Sequence, residues 1–364
     1  PTHFMKKILI TLLTIFIIVV LIVYIFLNRF STEKILGTIE EKTGLNIQLL
    51  DEGVWKFYPS ITYSNSNVII INKDRSFTVE NSNILINKSY WPTSPFWIDI
   101  IATAVNYKGM EMRDAVLQAK YAKNIIHIEK LTGKIVEGFL NLNGKIDLDS
   151  KQTFTIQGQF KNISLNTLLK QSQLATWDRV NIKLSSPNFK VSGKYNKDKN
   201  WVTSLIGNIP IKGSLYFTST DEERFGAALL SLLVEKIPSL TSVSRSVDFL
   251  LSTYANVPSS LNGILTLKNG WITSEEIFIT NKEGKSTLKG TYNFLENTIN
   301  GTIYFYEQNE IFLEASLQGA IENPQILVGG KIFSDKKEQP MQDIKQLLEK
   351  GLNSFIEKML STNE

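Results

Sequence analysis

Residues 264–305 read ILTLKNGWITSEEIFITNKEGKSTLKGTYNFLENTINGTIYF. Apolar and polar side chains alternate through most of this stretch, and glycines recur at short intervals. Alternation with a period of two predicts β-strands that have one apolar and one polar face. The stretch contains no His and no Cys. It therefore predicts a structure that presents a surface rather than a catalytic centre.

The composition excludes several classes of protein. The chain has 364 residues, and 43% of them are hydrophobic, which is enough for a sizeable core. Its 39 basic and 35 acidic residues are spread along the sequence, which argues against a nucleic-acid-binding protein. The absence of cysteine excludes disulfides and thiolate chemistry. The length predicts two or three domains or one elongated domain.

The strongest local signal is an uncharged run of twenty residues at 8–27, ILITLLTIFIIVVLIVYIFL. As a helix this run is about 30 Å long, enough to cross a bilayer. Asn28, Arg29 and Phe30 follow it, where a signal peptide would have small residues at its cleavage site. The sequence thus predicts an uncleaved single-pass anchor, and Lys6 and Lys7 favour a cytoplasmic N-terminus.

Beyond the anchor, period-two segments alternate with turn signals, and two segments have helical spacing. The Asn-Gly pairs at 143–144, 262–263, 269–270 and 300–301 predict turns. In the first helical segment, Pro238 separates two predicted helices; the second segment is an amphipathic C-terminal helix that either docks on the sheet or contacts a membrane or partner. The predicted divisions are an anchor at 5–28, a β region at 31–218, a helical segment at 219–258, a second β region at 259–333 and the C-terminal helix at 340–362.

No catalytic or metal-binding motif occurs in the sequence. His127 lies in NIIHIEKL, where the alternation predicts a strand-surface histidine. The GKST at 284–287 lacks the glycine that a phosphate-binding loop needs five residues earlier, since Ile279 stands there. We therefore predict a protein that is not an enzyme, with no cofactor and no metal. An enzyme with a dispersed carboxylate site is the least favoured alternative.

The alternating segments predict one continuous apolar face. Two such faces could meet in an ordinary sandwich, which the alternation alone favours, or one face could line an open trough that shields acyl chains at roughly 0.8 kcal/mol per buried CH₂. The residues predicted to line a lipid-binding groove are Ile146, Leu148, Phe154, Ile156, Leu265, Leu267, Ile277, Ile279, Leu288, Tyr292, Phe294, Ile299, Ile303, Phe305, Ile311, Leu313 and Leu317.

Three stretches resemble the AsmA-like family of bacterial envelope proteins. EEKTGLNIQLLDEGVWKFYPSITYSNSNVIIIN (40–72) is similar to the family's opening, with matches at Thr43, Gly44, Trp55 and Pro59. Residues 261–305 look like its C-terminal region. SLQGAIENPQILVGG (316–330) is similar to a segment near the end of related chains, with matches at Gly319, Asn323 and Pro324.

This resemblance implies a fold and a setting. The fold would be mainly β, with a transmembrane helix followed by a chorein-like N-terminus and an elongated, curved antiparallel sheet that forms a groove, or β-taco, with a few amphipathic helices. The chain would sit in the bacterial inner membrane with its bulk in the periplasm. It would act in outer-membrane biogenesis by binding or passively transferring phospholipid or another acyl lipid. An envelope scaffold that carries no lipid, with a protein partner at the C-terminal helix, is the alternative.

Overall fold

The computed structural model describes residues 37, 40–41, 45–72, 75, 77–91, 93–107, 109–149, 152–171, 180–194, 201–221, 241–322 and 324–329. The predicted anchor at 5–28 and the predicted C-terminal helix at 340–362 lie outside the described residues, as does the first helix predicted before Pro238. None of the helices in the described ranges has the length and apolar character that a membrane crossing requires.

In the part of the chain that the structure describes, seventeen strands form one antiparallel sheet, which confirms the prediction of a mainly β fold with a long curved sheet. From β3 onward each strand pairs with the next strand along the chain, while β1 and β2 pair with the two halves of β3. The strands are β1 Leu45–Leu49, β2 Val54–Lys56, β3 Ile61–Asn72, β4 Phe77–Lys88, β5 Phe96–Tyr107, β6 Met110–Ala122, β7 Ile125–Ile135, β8 Gly138–Asp147, β9 Thr153–Ser164, β10 Val180–Lys194, β11 Ile206–Phe217, β12 Ser259–Lys268, β13 Trp271–Thr280, β14 Lys285–Asn293, β15 Thr298–Glu307, β16 Glu310–Ala320 and β17 Gln325–Gly329.

Within the described ranges, two α-helices are inserted between strands of this meander. Helix α1, Leu165–Gln171, lies between β9 and β10, and α2, Thr241–Tyr254, lies between β11 and β12. A 3-10 helix at Trp201–Ser204 precedes β11. The helix predicted after Pro238 is confirmed as α2. Strands β11 and β12 pair directly although residues 218–258 separate them, so the predicted helical segment at 219–258 does not interrupt the sheet.

Most of the Asn-Gly pairs are not turns, so that prediction is wrong for three of them. The pairs inside strands β8, β12 and β15 are those at 143–144, 262–263 and 300–301. Only the pair at 269–270 forms a turn, with both residues at positive φ. At Gly144 an added Cβ would lie 2.2 Å from the carbonyl oxygen of Thr155 on the neighbouring strand. Close approach of the strands explains this glycine, because only a residue without a Cβ fits there.

The sheet curls round one of its faces. Leu169 of α1 forms a small buried cluster with Ile321, which follows β16, and Leu165 and Tyr292 pack against both. Seven strand spacings separate β9 from β16, which is about 34 Å in a flat sheet. A helix as short as α1 cannot span that distance, so the sheet must bend. We call the face that carries these contacts the inner face and the opposite one the outer face.

Candidate functional site: the inner face of the sheet

The strand register brings the predicted groove residues together. Residues directly opposite each other in an antiparallel sheet share a face. When the pairs are followed from strand to strand, fourteen of the predicted residues lie on the inner face. Two more, Leu148 and Phe294, are outside the paired strands and follow directly after β8 and β14. For example, Ile277 pairs with Leu288, which in turn pairs with Ile303. The predicted residues therefore belong to one surface.

Ile311 is the exception, and its prediction is wrong. Phe305 pairs with Leu313 but the next residue, Tyr306, pairs with Ile311, so β16 carries a bulge at Phe312. A bulge inserts one extra residue and reverses the alternation beyond it. Ile311 therefore lies on the outer face, where it is exposed. Sequence alternation alone could not reveal this shift.

The inner face is free of charge over a long distance. From β7 to β16 the inner-face positions that the register fixes carry no Asp, Glu, Lys or Arg. Glycine and serine occupy several of them, including Gly158, Gly213 and Ser286. The face thus combines large apolar side chains with small residues and offers no charged group that would orient a polar ligand.

Helix α2 seals the C-terminal part of this face. The ring of Phe249 lies 5.0 Å from that of Phe312 and 6.4 Å from that of Phe305, measured between centroids. Tyr254 contacts Phe305 at 5.4 Å. Ile277 and Ile279 are only 6% and 5% exposed in the same hydrophobic cluster. This part of the predicted groove is therefore a closed core. We call it the covered region; it spans the inner face of β11–β16 beneath α2.

Polar contacts hold α2 in place at both ends. Near its N-terminus, Arg245 forms an ion pair with Glu307 at 3.1 Å and lies over the ring of Phe312. Near its C-terminus, the Asn281 side-chain amide donates a hydrogen bond of 2.8 Å to the Thr253 carbonyl. The ion pair is largely exposed, and such pairs contribute at most about 1 kcal/mol. The helix is therefore held mainly by the apolar contacts beneath it.

Two hydroxyl groups are buried under α2. Tyr254 Oη and Ser286 Oγ have no hydrogen-bond partner of ordinary geometry among the described residues, although they lie near each other. Burial raises the pKa of the Tyr254 phenol, and the nearby Ser286 opposes that shift. A buried hydroxyl without a partner destabilises the fold. The covered region therefore contains a local weakness.

The inner face of β7–β9 is less covered than that of β11–β16. Leu142 is buried there and Phe160 packs against the cluster beneath α2, but the apolar residues nearer the β6–β7 turn are partly exposed and belong to neither cluster that contains α1 or α2. We call this part of the face the open region, and it consists of Ile126, Ile128, Ile146, Phe154 and Ile156. The predicted residue Leu148, also partly exposed, lies at its edge. The open region is where the inner face could accept an apolar ligand.

Charged side chains are absent from the inner-face positions of β7–β16 that the register fixes, and they lie elsewhere in the described residues. The described residues contain no group of three or more His, Cys, Asp or Glu side chains placed to hold a metal ion. His127 is exposed and pairs across the sheet with Lys120 and Lys145, which confirms the predicted strand-surface histidine. Across β6 and β7, the exposed Lys134 holds the pKa of the Asp114 carboxyl below its usual value through a hydrogen bond and its charge. These charged side chains are exposed to water.

Comparison with known proteins adds no relative. No protein-family model matches the chain, and neither does any curated protein or solved structure. The resemblance of residues 40–72, 261–305 and 316–330 to the AsmA-like family therefore stays a prediction.

Proposed function

We propose that the protein is a lipid-binding protein without enzymatic activity, and that the open region shields acyl chains from water. The observation that carries the proposal is an inner face that is uncharged from β7 to β16 and still partly exposed on β7–β9. Burial of apolar surface is worth roughly 0.8 kcal/mol per CH₂ group. An acyl chain lying on this surface would gain that energy without needing any specific polar contact.

The proposed mechanism is passive. The acyl chains lie against the open region while the head group stays in water at the edge of the sheet, so a lipid can slide along the face. An uncharged surface suits such movement, because no single position binds the lipid much more tightly than its neighbours. The driving force would come from a concentration gradient or from a partner protein. Because α2 closes the covered region, the proposed binding surface is shorter than the whole inner face.

The proposed setting is the bacterial envelope. In this proposal residues 8–27 anchor the chain in the inner membrane, the sheet lies in the periplasm, and the protein belongs to the AsmA-like family and acts in outer-membrane biogenesis. The uncharged twenty-residue run supports the anchor, and the long curved sheet is consistent with the groove that the family resemblance implies.

One observation favours a second candidate, an envelope scaffold that supports assembly of outer-membrane proteins without carrying lipid. Ile277, Ile279 and Phe305 are buried beneath α2 and form an ordinary core rather than a trough. If the open region were also covered in the working protein, the sheet would serve only as a rigid support. The amount of bound lipid separates the two candidates.

The test is mass spectrometry of lipids that co-purify with the full-length protein and two variants. Ile156→Asp places a charge in the open region, and Gln157→Asp places the same charge one residue later on the outer face. We expect Ile156→Asp to lose most of its bound lipid and Gln157→Asp to keep it, with both proteins retaining the β-sheet circular dichroism spectrum. Equal lipid content in the two variants, or a wild-type protein that carries none, would favour the scaffold.

A further inference from the structure

One end of the first strands carries an exposed group of aromatic side chains. The register pairs Ile61 with Lys88 and Lys88 with Phe96, so the β2–β3 loop and the β4–β5 loop lie side by side. We call the aromatic residues of these two loops the aromatic tips; they are Phe57, Tyr58, Tyr90 and Trp91. Tyr58 is 89% exposed and Trp91 76% exposed. Large side chains exposed together in this way mark a contact site.

The β4–β5 loop is held in a defined shape by its own hydrogen bonds, and the β2–β3 loop begins with a ring contact. In the β4–β5 loop, the Ser94 backbone N–H donates to the Trp91 carbonyl at 3.0 Å, and the Ser94 hydroxyl donates to the Ser89 carbonyl at 2.9 Å. In the β2–β3 loop, the ring of Phe57 stacks on that of Trp55 at 6.2 Å. The aromatic tips are thus displayed by ordered turns. Their exposure is a feature of the fold.

The surroundings of the tips are basic. Lys56 and Lys88 flank the two loops, and Lys120 and Lys123 lie at the neighbouring β6–β7 turn. Residues 54–60, 86–97 and 120–125 contain no Asp or Glu. The sequence at the opposite end of β3–β6 mixes both signs, with Asp74 and Glu111 among Lys73, Arg75 and Lys108. The β2–β3, β4–β5 and β6–β7 turns differ in carrying or adjoining lysine without an acidic residue.

This combination fits a membrane surface. Trp and Tyr prefer the boundary between lipid and water, because they combine an apolar ring with a polar group. Lysines near the surface are attracted to anionic head groups and can extend their charged ends toward water. We propose that the aromatic tips insert into the head-group region of a bilayer that contains anionic lipid. The proposal does not depend on lipid binding at the open region.

The acidic groups near this end of the sheet lie to one side of the aromatic tips or are set back from them. Asp149 accepts a hydrogen bond of 2.8 Å from the Asn124 side chain of the β6–β7 turn, and it belongs to the β8–β9 loop, four strands beyond β4. Glu52 and Asp99 line an open groove of about 450 Å³ on the outer face. Asp99 lies three residues into β5 from Phe96, which sets it about 10 Å back from the end of the strand. The tips can therefore reach the head groups while these carboxylates stay in water.

The test uses single-cysteine labelling, which the absence of native cysteine permits. Tyr58→Cys and Trp91→Cys are each labelled with a polarity-sensitive fluorophore in the full-length chain. The controls are Tyr107→Cys at the opposite end of β5 and Ile311→Cys on β16, both exposed positions. The proteins are placed in vesicles of three parts phosphatidylcholine to one part phosphatidylglycerol with brominated acyl chains.

We expect a blue-shifted emission and at least threefold stronger bromine quenching at positions 58 and 91 than at 107 and 311. We also expect weaker quenching in pure phosphatidylcholine. Each of Lys56→Gln and Lys88→Gln should weaken the bromine quenching at positions 58 and 91 roughly fivefold. Equal quenching at all four positions overturns the proposal. A blue shift at 58 and 91 without bromine quenching also overturns it and indicates a protein contact.

A further variant separates this inference from the proposed function. The double variant Tyr58→Ser with Trp91→Ser removes the two most exposed tips and leaves the open region unchanged. We expect it to retain its co-purified lipid while a fluorophore on Tyr90→Cys loses its bromine quenching. Loss of co-purified lipid in the double variant would contradict the independence of the two sites.

Discussion

The open and covered regions of the inner face have the same kind of sequence and different environments. Ile146 and Phe154 pair across β8 and β9 as Ile277 and Leu288 pair across β13 and β14, and both pairs belong to the same uncharged face. In the open region these side chains remain partly exposed, whereas in the covered region α2 packs on them. Alternation therefore specifies an apolar surface, and an insertion elsewhere in the chain decides whether that surface becomes a core.

The largest contrast should come from placing a charge in each region. Ile277→Asp would bury a carboxylate beneath α2, and we expect it to lower the free energy of unfolding by at least about 4 kcal/mol or to prevent folding. Ile146→Asp, the matched change in the open region, should cost less than about 2 kcal/mol, because its carboxylate can stay hydrated. Urea unfolding measures both. Equal losses would mean that the open region is as closed as the covered one.

Removal of a contact from α2 should turn the covered region into an open one. Phe249→Ala deletes the ring that contacts Phe305 and Phe312, and we expect a loss of about 2 to 3 kcal/mol in the free energy of unfolding. If the inner face binds lipid, this variant should also carry more lipid per protein, as measured by mass spectrometry. Ser252→Ala, on the exposed side of α2, is the control and should change neither quantity.

The glycines on the inner face should differ in how well they accept a methyl group. An added Cβ at Gly158 would lie 2.2 Å from the Asn141 carbonyl oxygen, whereas at Gly301 the nearest atom, the Lys289 carbonyl oxygen, is 3.2 Å away. We expect Gly158→Ala to cost about 1 to 3 kcal/mol and Gly301→Ala less. Thermal or urea unfolding of the two variants gives the order. The reverse order would show that close approach of the strands is not what requires glycine at position 158.

The smallest effect concerns the buried hydroxyl of Tyr254. Tyr254→Phe removes a group without a partner of ordinary geometry among the described residues, so we expect a change between zero and a gain of about 1 kcal/mol at pH 7.

The pH dependence follows from the pKa of Tyr254, which burial raises above its usual value. The neutral Tyr254 phenol makes its full contribution to the free energy of unfolding below the pKa that this tyrosine has in the unfolded chain. The contribution is lost as the pH rises through the higher pKa that Tyr254 has in the folded protein. Above pH 10 the wild-type protein should therefore lose stability more steeply than Tyr254→Phe. Parallel curves from urea unfolding would contradict this prediction.

Local pattern was sufficient to predict the strands and the face to which most groove residues belong. Leu288, Ile303 and Leu317 follow a period of two that needs no tertiary information, and their shared face follows from hairpin pairing. Ile311 could not be placed this way, because the bulge at Phe312, a residue that packs against Phe249 of α2, reverses the alternation. The sequence contains no local signal for such a bulge.

The nonlocal contacts could not be predicted from the sequence. Phe249 was not expected to touch Phe305, because the two residues are far apart in the chain and belong to elements of different type. The Asn-Gly pair at 143–144 is a turn signal in isolation, but the strand beside it approaches too closely for any other residue at Gly144. Tertiary packing overrides the local preference in both cases.

The strand order has a consequence for how the chain folds. Because each strand from β3 onward pairs with its successor, most of the sheet forms from contacts that are close in sequence, and such contacts close small loops and form quickly. The contact between Leu169 and Ile321 is different, since it joins residues on either side of seven strands. We expect folding to spread from hairpin to hairpin and the curl to close last. A truncated chain that ends before β16 would then keep its strands and lose its curvature.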